Sequence, residues 1–331
     1  MREEKKMGFL QRYLKYSDIC IQCHNNPYAD AIAAAFGLYR YFSGKGVKTS
    51  IIYGGPGKIT KSNTLMMVNQ CRIPIQYTSE NPETELLLMV DCQYGRGNVQ
   101  KFEAKNIAMI DHHIQMVDVK EDDLIKSSYQ SCSTIVYELL KEEGYPVEED
   151  QALKTALLYG LYTDTASFSD LFASADMAMR AEIFSEDPLF EKLIKSNMSV
   201  AELLVVSDAM YNHFFDVERR FSIVEALKCD QTVLGIIGDM MIQVDTIYLS
   251  FAYTEAGTGY QISLRSCDDN LRADKIAAYG CEGIGNGGGH KKKAGGHIQK
   301  DKIKEKYGDK PISEVIEMLL CQCIDSLSKE S

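Results

Sequence analysis

Ile107-Ala108-Met109-Ile110-Asp111-His112-His113 sets four apolar residues directly before an acid and two imidazoles, with no turn-forming residue between them. A strand buried on both faces of a parallel sheet reads as such a short apolar run, and open α/β sheets bind ligands where their strands end. The run therefore predicts a strand that delivers Asp111, His112 and His113 to the carboxyl edge of a sheet. Three adjacent titratable groups there are costly unless a metal or a charged substrate pairs them. A strand end turning polar residues into solvent would account for one Asp-His pair taken alone. Other strand ends carry matching chemistry, and that shifts the balance.

Outward from this run, residues 18–24 read as a first strand, closed by Asn25-Asn26-Pro27. Asp30 opens a helix over 31–41 whose alanines and Gly37 allow close packing on a sheet. Residues 48–53 and the apolar run 86–90, which ends in Asp91, predict two more strands, with helices over 62–70 and 131–143. A long amphipathic helix over 148–162 ends at Thr163-Asp164-Thr165, and Ser174 is placed to cap another. Strands alternating with helices argue for an α/β fold with a parallel, doubly wound sheet. Residues 187–212 are helical in pattern and connect two domains. Beyond them, strands are expected over 221–226, 232–237, 246–253 and 260–265, with a tight turn at 255–259 and a last helix over 311–327, a smaller α+β domain. The expected divisions are 1–186, a helical linker 187–215, and 216–331.

The chain has 331 residues, 45% hydrophobic and 25% charged, the balance of a soluble globular protein long enough for two cores. A formal net charge of -11 argues against a broad nucleic-acid surface and extended DNA binding. It leaves room for a local phosphate site, because a bound cation adds charge that a residue count omits. The amino terminus lacks an apolar signal core, and no run approaches the roughly 18 apolar residues of a membrane span. A cytoplasmic protein is expected, with its ten cysteines reduced. Cys20 and Cys23 form a lone CxxC without the second pair a structural zinc site needs.

His24 and Asp30, six residues apart across a proline turn, can converge above the sheet, although strand-end hydrogen bonding and helix capping would also explain them. Asp164 follows a helix, where an acid opposes the macrodipole unless a cation offsets it. His24, Asp30, Asp91, His112 and Asp164 make a mixed imidazole and carboxylate set, suited to manganese, magnesium or iron. Farther on, eight of the 24 glycines fall between Gly280 and His297. They include Gly287, Gly288 and Gly289, followed by His290 and Lys291 to Lys293. Such a run can form an anion-binding nest of backbone amides, or a flexible loop with a solvated basic stretch. Arg265, at a strand end, can contact a phosphate bidentately.

The Asp111-His112-His113 triplet, the His24-x-x-Pro27 turn, Asp91, Thr163-Asp164 and the Gly287-Gly-Gly-His290 run together resemble the DHH phosphoesterases. They are similar to the branch with a DHHA1 second domain, which includes small oligoribonucleases and 3'-phosphoadenosine-phosphate phosphatases. The resemblance implies a metal-dependent hydrolase with its active site in the cleft between the two domains. Its substrates would be short oligonucleotides or small nucleotides. It implies two Mn²⁺ ions, with Mg²⁺ the alternative: one held by His24 and Asp91, the other by Asp30, Asp91, His112 and Asp164. His113 would contact the reacting phosphate, Asp111 would orient a histidine, and Arg265, Gly287, Gly288, Gly289 and His290 would hold the nucleotide. One position departs from the pattern His-x-x-Pro-Asp-x-Asp: Tyr28 stands where the first Asp belongs. A phenol with a pKa near 10 replaces a carboxylate poorly at neutral pH. The first metal site is then incomplete, and a nucleotide-binding protein with weak or lost catalysis is the competing expectation. The oligomeric state stays open, a homodimer included.

Overall fold

The computed structural model describes residues 8–184, 186–195 and 198–330. The chain divides into two compact units, Met1–Asn197 and Met198–Ser331.

The first unit is built on a six-stranded parallel sheet. Its strands are β1 (Asp18–Gln22), β2 (Lys48–Tyr53), β3 (Ile75–Tyr77), β4 (Leu86–Val90), β5 (Ile107–Asp111) and β6 (Leu124–Ile125). They lie in the order β3-β2-β1-β4-β5-β6. The chain therefore winds outward from β1 through β2 and β3, then returns to the other side of β1 with β4. The crevice at such a reversal is where open α/β sheets place ligands. Leu86 to Val90 are all buried, as a strand covered on both faces requires. Helices α1 (Ala29–Gly44), α2 (Ser62–Gln70), α3 (Cys132–Glu142), α4 (Gln151–Asp164), α5 (Ser174–Glu182) and α6 (Pro188–Lys195) complete the unit. Ser131 caps α3 by accepting from the Thr134 amide, and Asp150 caps α4 by accepting from Leu153. Ser174 is the first residue of α5 and makes no side-chain cap. Leu193 of α6 joins the core of this unit.

The second unit begins with α7 (Val200–Tyr211). A mixed sheet follows, formed by β7 (His213–Asp216), β8 (Phe221–Ala226), β9 (Leu249–Ala256), β10 (Gly259–Ser266), β11 (Gly285–Gly289) and β12 (Lys293–Gln299). Its order is β11-β12-β10-β9-β8-β7, antiparallel except where β8 meets β9. Helices α8 (Gln231–Met241), α9 (Ala273–Cys281), α10 (Lys300–Tyr307) and α11 (Ile312–Glu330) accompany it. The α/β class, with a parallel sheet followed by a smaller mixed-sheet domain, is as the sequence pattern predicts.

Two readings of the second unit need correction. The strand expected over 232–237 is helix α8, capped by the Asp230 carboxylate, which accepts from the Thr232 and Val233 amides. Its buried Val233, Leu234, Ile237 and Met241 recur at helical spacing. The glycine run is no nest-forming loop. Residues Gly285–Gly289 form a sheet-edge strand paired with β12. A Cβ on Gly287 would lie 2.3 Å from the Ala277 carbonyl oxygen of α9, so the glycine lets helix and strand approach. The ten cysteines are free, seven of them buried. No helix among the described residues is long and apolar enough to cross a membrane.

Candidate metal centre

At the carboxyl edge of the parallel sheet, β1, β4, β5 and the end of α4 each contribute polar side chains. After β1, His24 Nδ1 lies 2.9 Å from the Asn25 carbonyl. With the proton on that nitrogen, the Nε2 lone pair is left for another partner, and Asp91 Oδ2 is 3.8 Å from it. The Asn25 side chain accepts from the Gln100 amide, and Asn98 donates to the Asn25 carbonyl, which ties this turn to the loop after β4. Asp91 follows β4 with φ +59, a left-handed conformation that aspartate tolerates better than most residues.

Asp30 lies in the first turn of α1 and is fully buried. Its two oxygens accept from the Cys132 and Ser133 amides, at 2.6 and 2.9 Å, and so cover the N-terminus of α3. His112 repeats the arrangement of His24. Its Nδ1 lies 3.3 Å from the Tyr129 carbonyl, and its Nε2 is 3.2 Å from Asp91 Oδ1 and 3.5 Å from Asp164 Oδ2. Backbone-anchored imidazoles of this kind present a fixed tautomer to a metal. Asp111, buried at the end of β5, bonds His113 Nδ1 at 2.8 Å and accepts from Gln93 at 2.7 Å.

Electrostatics favour a cation here. Burial and the Asp91 carboxylate push the Asp30 pKa up to about 6. Burial, with Asp30 and Asp91, lifts Asp164 well above the usual carboxylate range. Burial alone would lower the pKa of His112, yet the surrounding Asp91, Asp164 and Asp30 carboxylates raise it well above the ordinary value. Asp91 Oδ1 and His112 Nε2 are buried without a well-aligned hydrogen bond, although only 3.2 Å separates them. Two orphaned ligand-grade atoms among crowded carboxylates are what a divalent cation would satisfy. Two sets bring their ligand atoms within 4.8 Å of one another: Asp91, His112 and His113, and Asp30, His112 and Asp164.

Residues 18–163 match the DHH family, N-terminal domain. The matched residues lie within the first unit. An uncharacterized protein of Methanocaldococcus jannaschii is 23% identical over 290 residues, covering 86% of this chain. The chain spans 58% of that curated relative's length. An exopolyphosphatase-related protein from Bacteroides fragilis matches with a TM-score of 0.74 at 17% identity, over 97% of each chain. RecJ from Thermus thermophilus, in complex with Mn²⁺, matches with a TM-score of 0.54 at 12% identity, over 95% of this chain and 53% of RecJ. At these identities the likeness to both solved structures is one of fold.

The first unit thus gathers His24, Asp30, Asp91, Asp111, His112, His113 and Asp164 around one edge. Beside them is a cavity of about 310 Å³, lined in part by Tyr28, Gln93, Arg96, Ile114 and Met116. Sequence reasoning missed the last four of these. Nothing local marks Gln93, three residues past the end of β4, as the clamp it is. Its Nε2 donates to Asp111 and to the Ile114 carbonyl, and its Oε1 accepts from the Met116 amide. Arg265 and the glycine run belong to the second unit. There Arg265 Nε donates to Asp239 at 2.8 Å, and Nη1 donates to Ser263 and to the Leu264 carbonyl. The guanidinium expected to contact a phosphate bidentately is therefore largely engaged within its own unit. Gly288 has open space where a Cβ would stand, and His290 is an exposed turn residue after β11.

Proposed function

We propose that the protein is a metal-dependent phosphoesterase that hydrolyses phosphodiester or phosphomonoester bonds of short oligonucleotides or small nucleotides such as 3'-phosphoadenosine phosphate. The observation that carries this reading is the orphaned pair Asp91 Oδ1 and His112 Nε2, buried among carboxylates in a DHH-family domain. His24, Asp30, Asp91, His112 and Asp164 would hold Mn²⁺ or Mg²⁺, with Asp91 shared between two ions. Bound there, such ions supply positive charge against the charge that develops on phosphoryl oxygens.

The chain's own residues divide the remaining work. Asp111 fixes the ring of His113 through Nδ1, and that bond raises the His113 pKa. A protonated His113 would donate from Nε2 to a phosphate oxygen or to the leaving oxygen. Gln93 holds Asp111 from behind and so keeps the pair aligned. Arg265, Gly287, Gly288, Gly289 and His290 would contact the nucleotide. The part left to Arg265 is Nη2, for which no hydrogen bond is formed among the described residues.

Tyr28 favours a second reading, a nucleotide binder with weak catalysis. It stands where the resemblance expects a ligand carboxylate, with its ring 5.5 Å from that of His24. One experiment tests both: Mn²⁺ stoichiometry together with turnover of a dinucleotide and of 3'-phosphoadenosine phosphate, for the parent and Asp91→Ala. Hydrolysis in the parent that disappears with Asp91→Ala, along with the greater part of Mn²⁺ binding, supports the enzyme. Near-parent turnover by Asp91→Ala would show that the centre is wrongly assigned.

A further inference from the structure

Three large apolar side chains stand exposed beside the metal centre. Tyr28 is 43% exposed, Ile114 66% and Met116 62%, and all three line the same cavity as His24, Asp91 and His113. Isolated exposed hydrophobics need no explanation, but a group of them around a charged site does. Tyr28 does not fill the core, and its hydroxyl has no hydrogen-bond partner among the described residues. Ile114 and Met116 are not adrift on a loop. Buried Gln93 accepts from the Met116 amide at 2.7 Å and donates to the Ile114 carbonyl at 3.0 Å. The same side chain anchors Asp111 at 2.7 Å, so the apolar residues are held in register with the catalytic edge.

We infer that Tyr28, Ile114 and Met116 form a specificity-determining shelf for a planar aromatic group next to the scissile phosphate. The substrate class it selects is a phosphate ester bearing a nucleobase, and it disfavours inorganic polyphosphate. A polyphosphate chain calls for a row of permanent cations, whereas Arg96 is the one arginine or lysine on the cavity wall among the described residues. Arg96 forms no side-chain ion pair or hydrogen bond among those residues, and it suits a single further anionic group. Base-on-aromatic stacking tolerates different bases because each has a π-face, so the shelf sets the class of substrate and leaves base identity loose. The inference rests on the phosphoesterase reading for its enzymatic arm and is independent of it for binding.

The test uses the full chain as parent, Tyr28→Ala, Tyr28→Phe and Met116→Ser. Steady-state kinetics with Mn²⁺ compare adenosine monophosphates with tripolyphosphate. Fluorescence anisotropy of an etheno-adenosine nucleotide reads binding to the metal-free proteins. The parent should prefer the adenosine substrate, and Tyr28→Ala should raise its KM and weaken metal-free binding about tenfold, within the range for loss of one base stack. Tyr28→Phe should stay near the parent, and Met116→Ser should fall between the two. Equal use of both substrates by the parent, or metal-free binding unchanged in Tyr28→Ala, would overturn the shelf. If no substrate is hydrolysed while nucleotide binding still depends on Tyr28, the phosphoesterase reading fails and the shelf stands.

Discussion

Gly160→Ala adds one methyl group inside α4, at the point where that helix passes α1 beside the candidate metal centre. A Cβ there would lie 2.2 Å from Ser133 Oγ, 3.0 Å from Asp30 Cα and 3.0 Å from Asp30 Oδ1. Ser133 Oγ is a short side-chain end without a well-aligned hydrogen bond among the described residues, and it can rotate aside. The α1 backbone cannot, so Asp30 must shift by a few tenths of an ångström and strain its bonds to the Cys132 and Ser133 amides. Overpacking of this kind costs about 1–3 kcal/mol. Removing a helix-interior glycine returns about 1 kcal/mol. The net loss is zero to about 2 kcal/mol, a fall in Tm of up to several degrees for a unit of this size. The larger effect should be on metal affinity, because a displaced ligand partner costs about 10–100-fold. Calorimetric titration with Mn²⁺ and thermal denaturation measure both. Gly280→Ala in α9 is the control, since its Cβ would meet nothing nearer than Phe251 at 3.9 Å. The control should keep or gain stability and bind Mn²⁺ as the parent does. If Gly160→Ala gained stability like the control with its Mn²⁺ isotherm unmoved, the tight approach of α4 to Asp30 would have no bearing on the site.

Three further outcomes are expected. Tyr28→Asp should raise Mn²⁺ stoichiometry towards two per chain, because His24 and Asp91 already flank the position; a titration that stays at the parent value would show that Tyr28 does not occupy a ligand place. The metal-free protein should lose thermal stability as pH rises from 5 to 8. Folded Asp30, His112 and His113 all have raised pKa values, so the native state holds more protons than the unfolded chain in that window. Saturating Mn²⁺ should flatten the slope, and a metal-free Tm that climbs with pH would contradict the crowded-carboxylate account. Arg265→Ala should weaken nucleotide binding and lower the Tm by about 2–4 °C per kcal/mol lost with its Asp239 contact, leaving Mn²⁺ stoichiometry unchanged; loss of metal by the folded variant would break the separation of roles between the units.

The centre was legible where a local apolar pattern meets a polar stop. Leu86 to Val90 before Asp91, and Ile107 to Ile110 before Asp111, read as buried strands because both faces are covered. The strand ends then fix where the polar residues go. What pairs those residues is long-range and leaves no local mark. Asp30 covers the start of α3 from 102 residues away, and Gln93 reaches Asp111 across 18. The anchor for His112 is a main-chain carbonyl at Tyr129, for which residue type carries no signal.

Arg265 shows how one misread element hides another residue's role. In a strand, positions 235 and 238 point to opposite faces, so reading 232–237 as a strand leaves Gly235 unrelated to Gly238 just beyond it. In a helix, residues three apart share a face. Gly235 and Gly238 then leave a gap on one side of α8, and Arg265 fills it: a Cβ on Gly238 would lie 2.8 Å from Arg265 Cγ, and one on Gly235 would collide with its Nη2. Asp239, the next residue, supplies the counter-charge at 2.8 Å. The cue was Asp230, an acid two residues before the run whose side chain reaches two amides of the first turn. A capping residue ahead of a short apolar run is therefore the feature that decides helix against strand here. Once it is read that way, the sequence also supplies a structural partner for the arginine that its strand-end position alone had offered as a bidentate phosphate contact.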